Sequence, residues 1–407
     1  MPDAAIVGGG IGGAALALAL TRGGRKSVVL ERAAAPPRAG RPEILWPATL
    51  DALDRLGVGD EIRDVAAVPL TAIEIRAAGA SVAADGPPAL LRLGDGTLRH
   101  ATDPNETRAA ILRAAEATGR VEIRRGFEAR EIVVAADEVR VVGVCGGIET
   151  DVRAAFVAGD DGAKSRVRGA LGIGLTTAVF PAEFAGTDVD AASIPRGIGS
   201  AWVDPDGVRS GVFAAICIPL PRGRAALVCV LAPGTWDGLV AAGPAAFAAR
   251  MARLAPPVAA LFAAPAFPGD FVHVLRPVGH ADRYVAARGA ILGDAAHPMS
   301  PAGGQGANAA IADAIALADV LLARLATGDL SAAALAPYEA ARRPANERSL
   351  AFSRRAAKGL RALRAVPALR HVAGAAAAVV RRAPPLRRRI VEAFATAYIG
   401  APVRITR

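Results

Sequence analysis

Ala4-Ala5-Ile6-Val7-Gly8-Gly9-Gly10-Ile11-Gly12-Gly13, continuing to Arg22 and closing on Ser27-Val28-Val29-Leu30-Glu31-Arg32, is the stretch that decides the fold. Ala4 to Val7 is short and apolar, as a buried strand is. From about Ile11 to Arg22 the residues are helix formers, and Gly23-Gly24 is the stop. Ser27 to Leu30 is a second strand, and it ends on the acid Glu31. Strand, glycine turn, helix and strand within about thirty residues make the βαβ unit of a doubly wound sheet. Gly8, Gly10 and Gly13 satisfy G-x-G-x-x-G, with Ile11 and Gly12 between them, and the acid follows Gly13 by eighteen residues. Gly8 can make the tight turn, Gly10 lets a pyrophosphate approach the backbone, and Gly13 lets the helix close on the sheet. The helix start offers N–H groups and roughly +0.5 of an elementary charge to phosphates. Glu31 would accept hydrogen bonds from ribose hydroxyls, each worth about 1.5–3 kcal/mol to a charged acceptor. Such a turn serves NAD and FAD alike.

The rest of the composition narrows the class. A chain of 407 residues holds two or three structural units. With 53% hydrophobic and 21% charged residues it is not intrinsically disordered. Alanine supplies much of that apolar share, so a mean hydropathy of +0.34 does not signal a membrane protein. The longest weakly polar run, His371 to Val380, is half of the ~20 residues that a spanning helix needs. A strand that begins at Ala4 leaves no secretory signal, and Cys145, Cys217 and Cys229 show neither a disulfide framework nor metal-ligand spacing. A cytoplasmic protein is expected. The net charge of +10 is concentrated at one end: eleven Lys and Arg and no acid stand between Arg354 and Arg389. That leaves a near-neutral body with solvated basic helix faces behind it, and no nucleic-acid site is expected.

Further helices are readable at Pro47 to Leu56 and at Asn105 to Thr118. Residues 71–98 change to short strands and turns, with strands expected at Ala72–Arg76 and Ser81–Ala84 and a turn at Gly94-Asp95-Gly96. The β-rich character returns from Thr176 to Leu275, strongest at Gly211–Ile218 and Ala225–Leu231. These two stretches read as one inserted, mainly antiparallel sheet domain, 71–98 with 176–275, that binds substrate. The cofactor domain is then discontinuous, 1–70, 99–175 and 276–345. After Leu325 the chain reads to Arg407 as Ala- and Arg-rich helix interrupted at Pro344, Pro367 and Pro384-Pro385, and 346–407 is taken as a C-terminal helical region.

Two downstream segments bear on the choice of nucleotide. Gly159-Asp160-Asp161-Gly162-Ala163-Lys164-Ser165-Arg166-Val167-Arg168 follows an apolar strand at Ala154–Ala158. Gly293-Asp294-Ala295-Ala296-His297-Pro298-Met299-Ser300-Pro301 follows another at Gly289–Leu292, and runs on through Gly303-Gly304-Gln305-Gly306-Ala307-Asn308 into an amphipathic helix ending near Leu325. An acid at a strand's C-terminal end beside a glycine-rich loop stands where ligands bind in open α/β sheets.

Together the three segments resemble the FAD-dependent class A monooxygenases, the family with the p-hydroxybenzoate hydroxylase fold, over roughly residues 4 to 345. The resemblance implies FAD, with Glu31-Arg32 at the adenosine ribose and Asp294 at the ribityl chain. It also implies that Pro301, Gly303, Gly304, Gly306, Ala307 and Asn308 form a loop along the flavin ring. Asp161 in the Asp-Gly motif is associated there with FAD and with the nicotinamide donor. Arg41 and Arg108 match the family's arginines close to the flavin. His297 stands in the flavin loop and is expected to be structural; no catalytic acid–base pair is assigned.

The implied reaction is the cofactor's: NADH or NADPH reduces the flavin, O₂ adds to give a C4a-hydroperoxide, and one oxygen atom passes to an aromatic or polyketide-like substrate of the kind found in secondary metabolism. Two other activities on the same fold compete: a flavin-dependent double-bond reductase, and a non-redox cyclase in which FAD only shapes the pocket. Flavin halogenases are set aside because Trp46, Trp202 and Trp236 stand alone. Disulfide reductases and two-Rossmann Baeyer–Villiger enzymes are set aside for want of a second fingerprint. A monomer or homodimer is expected.

Overall fold

Strand Ala4–Val7 lies within a six-stranded sheet, between Ser27–Glu31 and Phe156–Gly159, and parallel to both. Val121–Arg125 extends the sheet on one side and Gly289–Ile291 on the other, again in parallel, and Val285–Ala286 closes one edge antiparallel. All four residues of Ala4–Val7 are buried, as a parallel strand covered on both faces must be. The helix that follows, Ile11–Arg22, buries ten of its twelve residues against the sheet and the helices Pro104–Glu116 and Gly306–Thr327. Its alanines let those neighbours come close, so a helix apolar almost all round becomes the centre of the core. The strand order reverses between Ala4–Val7 and Phe156–Gly159. Their carboxyl ends therefore open a crevice of the kind that holds ligands in doubly wound sheets.

The computed structural model describes residues 1–36, 42–77, 91–93, 99–192, 194, 196–209, 211–275, 277–301 and 304–366. Arg41, Gly303, the strand expected at Ser81–Ala84, the turn at Gly94-Asp95-Gly96 and every expectation beyond residue 366 lie outside the described residues.

A seven-stranded sheet takes Ala72–Ala77 and Leu91–Leu93 from early in the chain and five strands between Glu183 and Val274. It is antiparallel except where Ile198–Val203 runs parallel to Ala72–Ala77. Helix Thr235–Leu254 covers one face with Trp236, Phe247 and Met251. The sequence reading took this stretch as β-rich and did not find that helix. Gly243, at φ +83°, and Pro244 kink it midway, which obscures the period. A second difference lies at Ala154–Ala158, expected as one strand. The chain forms two, Ile148–Ala154 and Phe156–Gly159, parted at Ala155. The first belongs to a three-stranded antiparallel meander with Phe127–Val134 and Val139–Cys145, and the second enters the main sheet.

The interruption expected at Pro344 does not occur. One helix of 34 residues, Ala332–Ala365, runs through both Pro337 and Pro344. A proline removes one helical N–H and crowds the preceding turn, which kinks a helix but ends it only if nothing holds the two sides together. Here both sides are anchored. Before Pro344, Tyr338 Oη donates to Ile291 O at 2.9 Å, and Arg342 Nε donates to Asp313 Oδ1 at 2.8 Å. After it, Asn346 Nδ2 donates to the same Asp313 oxygen at 3.1 Å, and Leu350 and Ala357 join an apolar cluster with Phe184, Phe213 and Val230 of the seven-stranded sheet.

Asp313 is fully buried, and its other oxygen meets His297 Nε2 at 2.5 Å and accepts from Gly293 N–H at 3.2 Å. Burial opposes its charge, but His297 and Arg342 more than offset that and hold the carboxyl well below the usual range. Removing one partner of such a group strands the others. Asp313→Ala leaves Arg342 buried without its carboxylate, and a loss of about 3–5 kcal/mol is expected in urea unfolding. His280 lies at the rim of the same network. Its Nε2 contacts Tyr284 Oη at 2.5 Å, and burial, then Arg343, pushes its pKa down to about 4. The unfolded chain takes up this proton near pH 6.5 and the folded chain only near 4, so folding stability falls as pH drops through that window. Its contribution is about 2–3 kcal/mol between those limits. Unfolding at pH 7 and pH 4.5 is expected to show a smaller acid loss in His280→Gln than in the parent chain.

Candidate active site

The fingerprint turn is built around two close approaches. Gly8 has φ +103°, and a Cβ on it would stand 2.2 Å from the carbonyl oxygen of Asp160. A Cβ on Gly13 would stand 2.1 Å from Gly8 O. Neither position admits a side chain. The chain turns at Gly10, whose carbonyl takes the first helical hydrogen bond from Ala14 N–H, and the next strand end reaches across: Asp160 Oδ2 accepts from Gly13 N–H at 2.6 Å.

On the side of the second strand, Glu31 Oε2 accepts from Gly9 N–H at 2.9 Å, and Oε1 accepts from Ala33 N–H at 2.7 Å. Arg108 Nη1 reaches Gly9 O at 3.5 Å from a helix that Asp103 caps at Asn105 N–H and Glu106 N–H. A cavity of about 50 Å³ opens between them, lined by Glu31, Arg108, Leu112 and Ile123 among others. Both Glu31 oxygens keep a lone pair for a sugar hydroxyl. Arg32 is exposed at the strand's exit.

The larger cavity, about 310 Å³, lies over the carboxyl ends of the two central strands. Gly10, Ile11 and Gly12 form one wall, and Asp294, Met299 and Pro301 the other. Gly304, Gly306 and Ala307 close it at the start of helix Gly306–Thr327. Glycines expose backbone near the helix N-termini, and the carboxyl groups of Glu43, Asp160 and Asp294 also line the cavity. That surface fits a dinucleotide: two cavities on either side of a glycine turn, an acid for the ribose in one and Asp294 for sugar-like hydroxyls in the other.

Arg108, expected close to the flavin, lies instead with Glu31 at the smaller cavity, and three other expected residues turn polar atoms to the protein itself. Asp161 Oδ2 accepts from Arg166 N–H at 2.6 Å and Val167 N–H at 3.2 Å, so this oxygen serves its own short helix. Asn308 spends its amide on the protein: Oδ1 accepts from Trp46 N–H and Thr49 Oγ1, while Nδ2 donates to Ile44 O and Gly304 O. It fastens the cavity's end wall to helix Pro47–Arg55. His297 is 1% exposed and faces Asp313, so it holds the loop from behind.

The sequence reading passed over Asp160, Asp313, Arg342 and Gln305. Asp160 stood beside the motif acid, and only the sheet order shows that it faces the fingerprint. Asp313 did carry a signal: an acid between Ile311 and Ile315, on a helix side where its neighbours are apolar. Arg168 supports the same loop, donating to Ala295 O and Ala163 O at 3.0 Å each.

A family model described as FAD binding domain matches residues 1–353. The chain is 31% identical over 372 residues to the ubiquinone hydroxylase UbiL of Rhodospirillum rubrum, covering 86% of this chain and 80% of that protein. It is 30% identical over 368 residues to the 12-dehydrotetracycline 5-monooxygenase/anhydrotetracycline 6-monooxygenase of Streptomyces rimosus, covering 84% and 66%. Among solved structures, PqsL of P. aeruginosa in complex with 2-aminobenzoylacetate superposes with a TM-score of 0.74 at 26% identity, over 88% of this chain and 96% of that one. With its cradle for a dinucleotide and this likeness over most of its length, the chain belongs to the FAD binding domain family and is an FAD-dependent monooxygenase.

Proposed function

We propose that this monooxygenase hydroxylates an aromatic or polyketide-like small molecule, consuming NADH or NADPH and O₂. The observation that carries the substrate class is the apolar character of the ground between the larger cavity and the seven-stranded sheet. Met299 lines the cavity and packs with Phe184, Phe213 and Val230 of that sheet. Beside it, Leu70, Ala101 and Ile218 form a second apolar cluster with Ile44 and Ile216. A flat apolar ring gains about 25 cal/mol for each Å² it buries on such a floor, whereas a sugar would leave its hydroxyls without partners there. Relatives named for ubiquinone and anhydrotetracycline support the same class.

FAD supplies the redox chemistry when it is bound. Glu31 and Arg108 would hold its adenosine end, Asp294 its sugar-like chain, and the turn from Gly8 to Gly13 its phosphates. Helix Gly306–Thr327 begins at the cavity, and its N-terminal partial charge stabilises negative charge on a group bound there. The apolar clusters would keep water away from the oxygen chemistry that the cofactor supplies.

No helix of the described residues is long and apolar enough to cross a membrane. We infer a cytoplasmic enzyme that works as a monomer or homodimer.

The test is the purified yellow protein given a panel of phenols, quinols and polyketide phenols. NAD(P)H oxidation and O₂ uptake are expected to rise together, at least tenfold above the unstimulated rate, with a product one oxygen atom heavier. NAD(P)H consumption that persists without O₂ would instead identify a reductase, and stimulation by sugars alone would overturn the substrate class.

A further inference from the structure

Asp160 stands at the topological switch point, immediately after strand Phe156–Gly159, with its N–H donated to Val7 O at 2.8 Å. Its carboxyl spans the two loops that frame the larger cavity. Oδ2 accepts from Gly13 N–H in the first turn of the fingerprint helix. Oδ1 points between the fingerprint and the downstream loop, where a Cβ on Gly12 would lie 3.0 Å from it and one on Gly293 2.7 Å. The residue is half-buried and lines the cavity.

The charges around it are mostly of its own sign. Asp161 follows it in the chain, Asp294 faces it from the downstream loop, and Asp313 from helix Gly306–Thr327. Asp313 is already balanced by Arg342 and His297. The nearby Arg168 is turned to the carbonyls of Ala163 and Ala295, while Arg108 and Glu31 meet at Gly9 on the far side of the turn. Burial and the three carboxylates raise the Asp160 carboxyl well above its ordinary range, against the opposing pull of the Gly13 N–H. A nucleotide diphosphate brought to the same helix start adds further negative charge. A carboxylate there would compete with the phosphates for the helix N-terminus. The neutral acid instead keeps Oδ2 as an acceptor and makes Oδ1 a donor.

We propose that Asp160 is an additional cofactor-binding residue that acts as the neutral acid, accepting from Gly13 N–H and donating its own O–H to the FAD phosphates, so that cofactor capture takes up one proton from solvent. This rests on the FAD reading of the site. It makes FAD affinity fall as pH rises through the pKa that Asp160 has in the FAD-free protein, by up to tenfold per pH unit.

The experiment strips FAD from the full chain and titrates it back by flavin fluorescence from pH 6 to pH 9. Calorimetry at fixed pH, in buffers of different ionisation enthalpy, counts protons. The parent chain is expected to bind more weakly at alkaline pH and to take up close to one proton per FAD within that window. Asp160→Asn keeps the shape and a donor, and is expected to bind with a flat pH profile and no proton uptake. Equal pH slopes in parent and variant, or no proton uptake by the parent at any pH across the range, would overturn the proposal. Should the variant fail to fold, proton counting on the parent chain decides alone. A parent chain that binds no FAD at any pH would overturn the cofactor reading and this proposal with it, an outcome distinct from FAD binding that is indifferent to pH.

Discussion

At the ends of strands Ala4–Val7 and Phe156–Gly159, Gly8 and Gly13 have no room for a side chain, and the rest of the molecule is arranged around that tightness. Gly8 passes under the backbone of Asp160, and Gly13 lies against the carbonyl of Gly8. Helix Ile11–Arg22 can then sit directly on the sheet with its alanines inward, and its amino end points into the crevice. The same closeness puts peptide N–H groups, and few side chains, on the wall that a phosphate would meet. A larger residue at either glycine would lift the helix from the sheet and spoil core and crevice together.

The far wall has a different kind of support. The loop from Gly293 to Pro301 has little regular structure, and it is held by polar contacts to elements behind it. Asp313 takes the Gly293 N–H and the His297 ring, and is fixed in turn by Arg342 and Asn346. Asn308 performs a similar service at the end of the cavity with all of its amide hydrogen-bonding capacity turned inward. Buried polar groups of this kind rigidify a site only when they are satisfied, and these are.

Much of this was readable from the residues. The fingerprint stretch announced strand, helix and strand because strict apolar runs, glycine punctuation and a terminal acid all agreed. The positions of Glu31 and Asp294 were legible from the local pattern: Glu31 ends the second strand, and Asp294 stands in the turn just beyond strand Gly289–Ile291. The division of the downstream segments was harder. Phe156–Gly159 and Ile148–Ala154 differ only in whether one face or both are covered, and that depends on partners far away in the chain. Helix Thr235–Leu254 was hidden by Gly243-Pro244, and the continuity of Ala332–Ala365 by Pro344. In the second case tertiary packing overrides the local breaker, whereas Gly243 does interrupt the backbone of the first helix. Asp160 was illegible in principle, since its role comes from the neighbouring strand and not from its own segment.

Helix Ala332–Ala365 has a mechanical consequence. Its first half is bolted through Tyr338 to strand Gly289–Ile291 of the six-stranded sheet and through Arg342 to helix Gly306–Thr327, and its second half is sunk among phenylalanines of the other sheet. Fixed to both, the helix resists any hinge motion that would part the two sheets.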